Sequence, residues 1–178
     1  MIGLPLAGKS HIGRLLTSKV ENSVHISTGD IARRLIVDDI QQKEMEAKDL
    51  FPGEEQLRTE LKKQIDDSAA TCIFIDGFPR STDQVKYLKE TFFDLFPVVI
   101  DVSAGDLRTL AVRAKLRARD SRDFNQIEFE NRLSLAMKNQ GEVYQALTSC
   151  LIPHYTIIST ASDESAYTQF QHISRFKL

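Results

Sequence analysis

Residues 3 to 10, Gly-Leu-Pro-Leu-Ala-Gly-Lys-Ser, match the pattern G-x-x-x-x-G-K-[ST] at every fixed position. A run of this kind turns successive backbone N–H groups inward around phosphate oxygens and hands them on to a helix N-terminus, so it works only between an incoming strand and an outgoing helix. Gly3 and Gly8 let the main chain approach an anion with no Cβ in the way. Lys9 offers a point charge to β- and γ-phosphates, and Ser10 a hydroxyl to a Mg²⁺ bridging them. The alternative is a chance match in a Gly-containing turn. The apolar stripe Ile12, Leu15, Leu16 and Val20, which predicts a helix over 11–20, argues against it.

Downstream, short apolar runs alternate with helical periodicity. Val24-His25-Ile26, Cys72-Ile73-Phe74-Ile75, Pro97 to Val102 and Tyr155-Thr156-Ile157-Ile158 are too continuously apolar for half-exposed antiparallel strands. They read as strands of a parallel sheet covered on both faces. Helical patterns lie at about 30–42, 54–68, 82–93, 105–118, 125–149 and 164–175. The order predicts a three-layer α/β/α fold with a parallel sheet of about five strands. Only Met1 and Ile2 precede the loop, so the first strand reads as truncated, leaving open whether the chain is a piece of a longer protein. Residues 30–68, broken at Phe51-Pro52-Gly53, exceed a normal crossover and suggest a small helical lobe.

At 178 residues the length suits one domain, 1–178. A net charge of −2 argues against a general nucleic-acid binder. Cys72 and Cys150 fit no metal spacing, and Cys72 reads as a buried thiol. No signal peptide or membrane-spanning stretch is visible, so a soluble, cytoplasmic protein with no membrane partner is expected. Positive charge crowds one stretch, with Arg108, Arg113, Lys115, Arg117, Arg119 and Arg122. Its plainest reading is a solvated face.

Two further motifs stand at predicted strand ends, where open α/β sheets bind ligands. They are Ser27-Thr28-Gly29-Asp30-Ile31-Ala32-Arg33 and Asp76-Gly77-Phe78-Pro79-Arg80-Ser81-Thr82-Asp83-Gln84. With the phosphate loop before them, they give nearly the whole chain a resemblance to the nucleoside monophosphate kinases, adenylate kinase branch. The resemblance implies reversible, Mg²⁺-dependent transfer of the terminal phosphoryl of ATP to AMP. It also implies an acceptor-binding lobe at about 27–58 and a short lid at about 117–126 that has no zinc insertion. A monomer is expected unless the chain is part of a longer one.

Residue by residue, the resemblance assigns Gly3, Pro5, Leu6, Ala7, Gly8, Lys9, Ser10, His11, Arg113 and Arg117 to ATP. It assigns Thr28, Gly29, Arg33, Leu50, Phe51, Gly77, Arg80, Gln84, Arg122 and Arg132 to AMP, with Lys9, Arg80, Arg122 and Arg132 catalytic. Thr28, where UMP/CMP kinases commonly carry Ala, favours AMP. Gln84 looks like a base contact, since an amide can donate and accept together. Mg²⁺ falls to Ser10 and, through water, to Asp76; Asp30 either shares that role or caps a helix. Guanidinium forks suit phosphate oxygens better than ammonium groups do.

The chain departs from the family pattern at the loop. Leu6 stands where the family has Gly, Ser10 replaces another Gly, and His11 replaces Thr. Leu6 adds a Cβ where the loop turns tightly, and the loop can still form if that residue keeps φ below zero; Ser10 can restore the hydroxyl lost at His11. The turn Ser159-Thr160-Ala161-Ser162 lacks the family's Gly and Pro, which leaves the donor base open. Two other readings stay in play: a kinase-like nucleotide-binding module, and a kinase for CMP, UMP or a deoxynucleotide.

Overall fold

Ser23–Ser27 (β1) pairs in parallel with Cys72–Asp76 (β2), and Val99–Ser103 (β3) with His154–Ile158 (β4). The computed structural model describes residues 1–35, 54–117, 126–159 and 162–174, with backbone only for Arg117, Gln126, Glu128 and Arg132. Between the strands run α1 (Lys9–Lys19), α2 (Thr28–Leu35), α3 (Glu54–Asp66), α4 (Thr82–Thr91), α5 (Leu107–Arg117), α6 (Gln126–Ser149) and α7 (Asp163–Ser174). Observed ends lie within about two residues of the expected ones, except at α2, whose expected continuation to 42 lies outside the described residues.

Met1 and Ile2 occupy the slot between the two strand pairs. Ile2 N–H donates to Ile100 O and Val102 N–H to Ile2 O, both at 2.9 Å, while Gly77 N–H donates to Met1 O at 2.9 Å. Among the described residues, the expectation of about five strands is met by four strands and one bridging dipeptide, because two residues are too few for a ladder.

Period-2 alternation sends side chains to both faces of this sheet. On one side Phe74, Ile100, Val102 and Ile157 pack against Ile12 and Leu16 of α1 and Ala166 of α7. On the other, Ile26, Ile73, Ile75 and Val99 meet Ile31 of α2, Leu57 and Leu61 of α3, Val85 and Leu88 of α4, and Val143 and Leu147 of α6. Both faces are covered, which explains the continuous apolar runs. Each fully buried Leu or Ile contributes roughly 1.5–3 kcal/mol.

The register sets the strand ends level. Ser27 lies beside Asp76, and Ser103 beside Ile158. All four C-terminal ends therefore open at one rim, where the loop and both motifs emerge.

Candidate active site

That rim holds a cleft of about 630 Å³. Gly3, Pro5, Leu6, Gly8, Lys9, Ser10 and His11 line it together with Gly29, Arg33, Asp76, Gly77 and Arg80. Three motifs scattered over the first half of the chain thus meet in one cavity.

The loop owes its shape to specific backbone states. Gly8 (φ 100°) stands at the N-cap of α1, which has no side-chain cap, so the first-turn N–H groups suit an anion. Gly3 (φ 139°) lies so close to β3 that an added Cβ would collide with the Val102 carbonyl oxygen. We expect Gly3→Ala to cost about 2–4 kcal/mol, read as a lower urea midpoint with an unchanged slope. The loop forms without the condition of a negative φ at Leu6 being met. Leu6 sits at φ 62°, the left-handed region that a Gly would occupy without strain, at a cost of roughly 1–2 kcal/mol.

Lys9 Nζ donates to the carbonyls of Gly3 (2.9 Å) and Leu4 (3.0 Å), folded back onto its own loop. Ser10 Oγ donates to Asp76 Oδ2 at 2.5 Å. His11 lies off this pair, exposed and bonded to Asp163 Oδ1 at 2.6 Å. Hydroxyl and carboxylate are hard oxygen donors at the mouth of a phosphate loop, a set that fits Mg²⁺, which binds through one or two protein oxygens plus phosphate and water. Among the described residues no three His, Cys, Asp or Glu side chains converge as a metal cage. His25 Nε2, buried and without a hydrogen-bond partner, lies 3.9 Å from Asp76 Oδ2, and burial holds its pKa below the ordinary histidine value.

Within the cleft, Arg80 Nε donates to Gly77 O at 2.9 Å. Arg33 pairs with Asp30, and this bond is the main reason the Asp30 carboxyl sits below the usual carboxylate range. Asp30 is not the helix cap, because the Ser27 hydroxyl accepts its backbone N–H at 3.2 Å. Nor does Asp76 cap α4; Ser81 does.

Two side chains, Thr28 and Gln84, stand differently from the sequence-based expectation. Thr28 is fully buried and donates to Asp76 O at 2.9 Å rather than facing the cleft. Gln84 is also buried. Its Oε1 accepts from Arg80 N–H at 2.7 Å and its Nε2 donates to Glu54 at 3.1 Å, so its amide holds α4 and α3 together. Arg113 lines the cleft but donates to Leu6 O (3.0 Å) and Ser159 O (3.1 Å), clasping the loop to the end of β4. Ala7 is buried, and its carbonyl accepts from the Ser159 hydroxyl. Leu50, Phe51 and Arg122 lie outside the described residues, as do the side chains of Arg117 and Arg132. Cys72 is half-buried, and burial pushes its thiol pKa up.

Sequence reasoning missed the cleft face of α6. Ala136, Asn139, Gln140 and Val143 line it, a helical stripe visible in the spacing but lost within a long amphipathic segment. Ser159, the first residue of the turn after the last strand, does line the cleft.

A parallel sheet covered on both faces, with a phosphate loop and two arginine-bearing turns at one rim, defines a P-loop α/β phosphotransferase. Known proteins agree. A family described as "AAA domain" matches residues 2–128. An adenylate kinase of Nocardia farcinica is 29% identical over 160 residues, which span 87% of this chain and 83% of that protein. An adenylate kinase of Corynebacterium diphtheriae is 28% identical over the same shares. One from Oceanobacillus iheyensis is 33% identical over 53% of this chain and 46% of its own. The chain belongs to the AAA domain family of P-loop proteins and, more narrowly, to the adenylate kinase and nucleoside monophosphate kinase family.

Proposed function

We propose that this nucleoside monophosphate kinase is an adenylate kinase, transferring the terminal phosphoryl of ATP to AMP reversibly and with Mg²⁺, to give two ADP. The observation that carries the reading is the single cleft in which Lys9, the Ser10–Asp76 pair, Arg33 and Arg80 come together. That the relatives from Nocardia farcinica and Corynebacterium diphtheriae are adenylate kinases supports it.

In this reading Gly3 to His11 hold the donor phosphates, and Arg33 and Arg80 the acceptor phosphate. Lys9 leaves the carbonyls of Gly3 and Leu4 for the β- and γ-phosphates. Ser10 and Asp76 would hold Mg²⁺, which when bound neutralises charge on the transferring group. The acceptor oxygen attacks in line, the bond to the leaving diphosphate breaks, and no covalent enzyme intermediate forms. Catalysis is then positioning and charge neutralisation, with Arg122 and Arg132 adding guanidinium groups. An acceptor-binding lobe at about 27–58 and a short lid at about 117–126, within one domain, belong to the same proposal. So do a monomeric state and a cytoplasmic location; among the described residues no helix is long and apolar enough to cross a membrane.

Acceptor choice has a second reading. Thr28 and Gln84 are buried and hydrogen-bonded inside the protein, so the preference for adenine drawn from them carries less weight. CMP, UMP or a deoxynucleotide then stand as competing acceptors. A coupled assay with ATP, Mg²⁺ and each monophosphate decides. We expect AMP to give a kcat/KM at least about tenfold above the others. A preference for another base changes the acceptor, and no turnover with any acceptor ends the kinase reading in favour of a binding module.

A further inference from the structure

Strand alternation turns Asp101 of β3 away from Ile100 and Val102 and toward the α6 side of the sheet. There it is buried. Gln140 Nε2 donates to Asp101 Oδ1 at 2.9 Å and to the Tyr144 hydroxyl at 3.2 Å, and that hydroxyl also hydrogen-bonds the carboxylate. Burial raises both the Asp101 carboxyl and the Tyr144 phenol above their ordinary values. A buried carboxylate is costly unless its lone pairs are used, and here two side chains of one helix use them.

The other end of this network is the phosphate loop. Asp101 Oδ1 lies 3.3 Å from where a Cβ on Gly3 would stand, and the carboxylate attracts the Lys9 ammonium. Gln140 itself lines the cleft. Arg132 is eight residues upstream on the same helix, about 12 Å along its axis. A continuous helix moves as a unit, so the point where it is fixed to the sheet sets where its N-terminal half lies over the loop.

We propose that Asp101, Gln140 and Tyr144 form a positioning network that sets α6, and with it Arg132, relative to the phosphate loop and Lys9. It deepens the kinase reading above and rests on it. None of the three takes part in bond making; they act through the groups they place. The bare alternative is that Gln140 and Tyr144 only satisfy a buried carboxylate, in which case their loss lowers stability and leaves turnover per folded molecule alone.

Gln140→Leu, Gln140→Glu and the reversed pair Asp101→Asn/Gln140→Glu separate these. In the reversed pair, the amide now on β3 donates to a carboxylate on α6, so the direction of the bond is exchanged and its two partners are kept. We expect kcat to fall about ten- to a hundredfold in Gln140→Leu, with both nucleotide KM values within about threefold. Gln140→Glu, which sets two carboxylates together, should be worse, and the reversed pair should recover at least about tenfold over it. Wild-type kcat in folded Gln140→Leu, or no recovery in the reversed pair, overturns the proposal. If the unmutated protein turns over no acceptor, the kinase reading has failed on its own. Hydrogen exchange at the Phe129 to Leu133 amides then tests the network. Exchange about tenfold faster in Gln140→Leu and restored in the reversed pair supports it, and unchanged exchange overturns it.

Discussion

Lys9→Ala is expected to lower kcat by about 10³-fold or more while the protein stays folded. In the nucleotide-free protein the ammonium bridges the carbonyls of Gly3 and Leu4, so its loss removes two half-buried hydrogen bonds. Each is worth about 1 kcal/mol net, together a fall of roughly 4–8 °C in Tm for a chain of this size. In the transition state the same charge would meet the oxygens on which negative charge is spread. A preorganised donor there is worth far more than in the ground state. Steady-state kinetics in the coupled assay, alongside a thermal melt, checks both halves. A melt more than about 10 °C lower, with kcat nearly kept, would make Lys9 a strut of the loop.

Gly77→Ala is expected to be nearly as damaging, by a different route. Gly77 stands at φ 82°, where an L side chain is strained by roughly 1–2 kcal/mol. An added Cβ would lie 2.7 Å from the Thr28 hydroxyl and 2.8 Å from Arg80 Nη2. The Thr28 hydroxyl is pinned to Asp76 O inside the protein, so the arginine end is what yields. Displacing that fork by about an ångström should cost on the order of 10²-fold in kcat/KM for the acceptor, with the donor KM little changed. Equal loss toward donor and acceptor would mean that the substitution disturbs the whole rim.

Most of the site's location was legible because the motif residues act through backbone and sequence-local geometry. A phosphate loop needs Gly at positions of positive φ, a Lys and a hydroxyl at fixed spacing, and all of these lie within eight residues. The two later motifs follow β-strands whose apolar runs are unmistakable, so their place at strand ends could be inferred. The strand ends were also placed well, since a parallel strand covered on both faces has no polar alternation to blur it.

What failed was the direction of individual side chains. Thr28 and Gln84 were expected at the acceptor base, and both turn inward, Thr28 to the carbonyl of buried Asp76 and Gln84 to the Arg80 N–H and the Glu54 carboxylate. Arg113 does line the cleft, and there its fork spans Leu6 and Ser159, an interaction across more than a hundred residues that no local pattern announces. For Leu6 a negative φ was the condition on which the loop could form, and the loop forms with a positive one.

Residue order alone was enough for the layer order, the identity of the phosphate loop and the rim at which the three motifs gather. Local spacing and hydrophobic period carry that information, and neither depends on distant residues. Which polar groups face the cleft, and which are consumed within the protein, was settled by the packed fold. There Asp101 reaches across to Gln140 and Tyr144, because pairing between remote residues depends on how helices seat on the sheet.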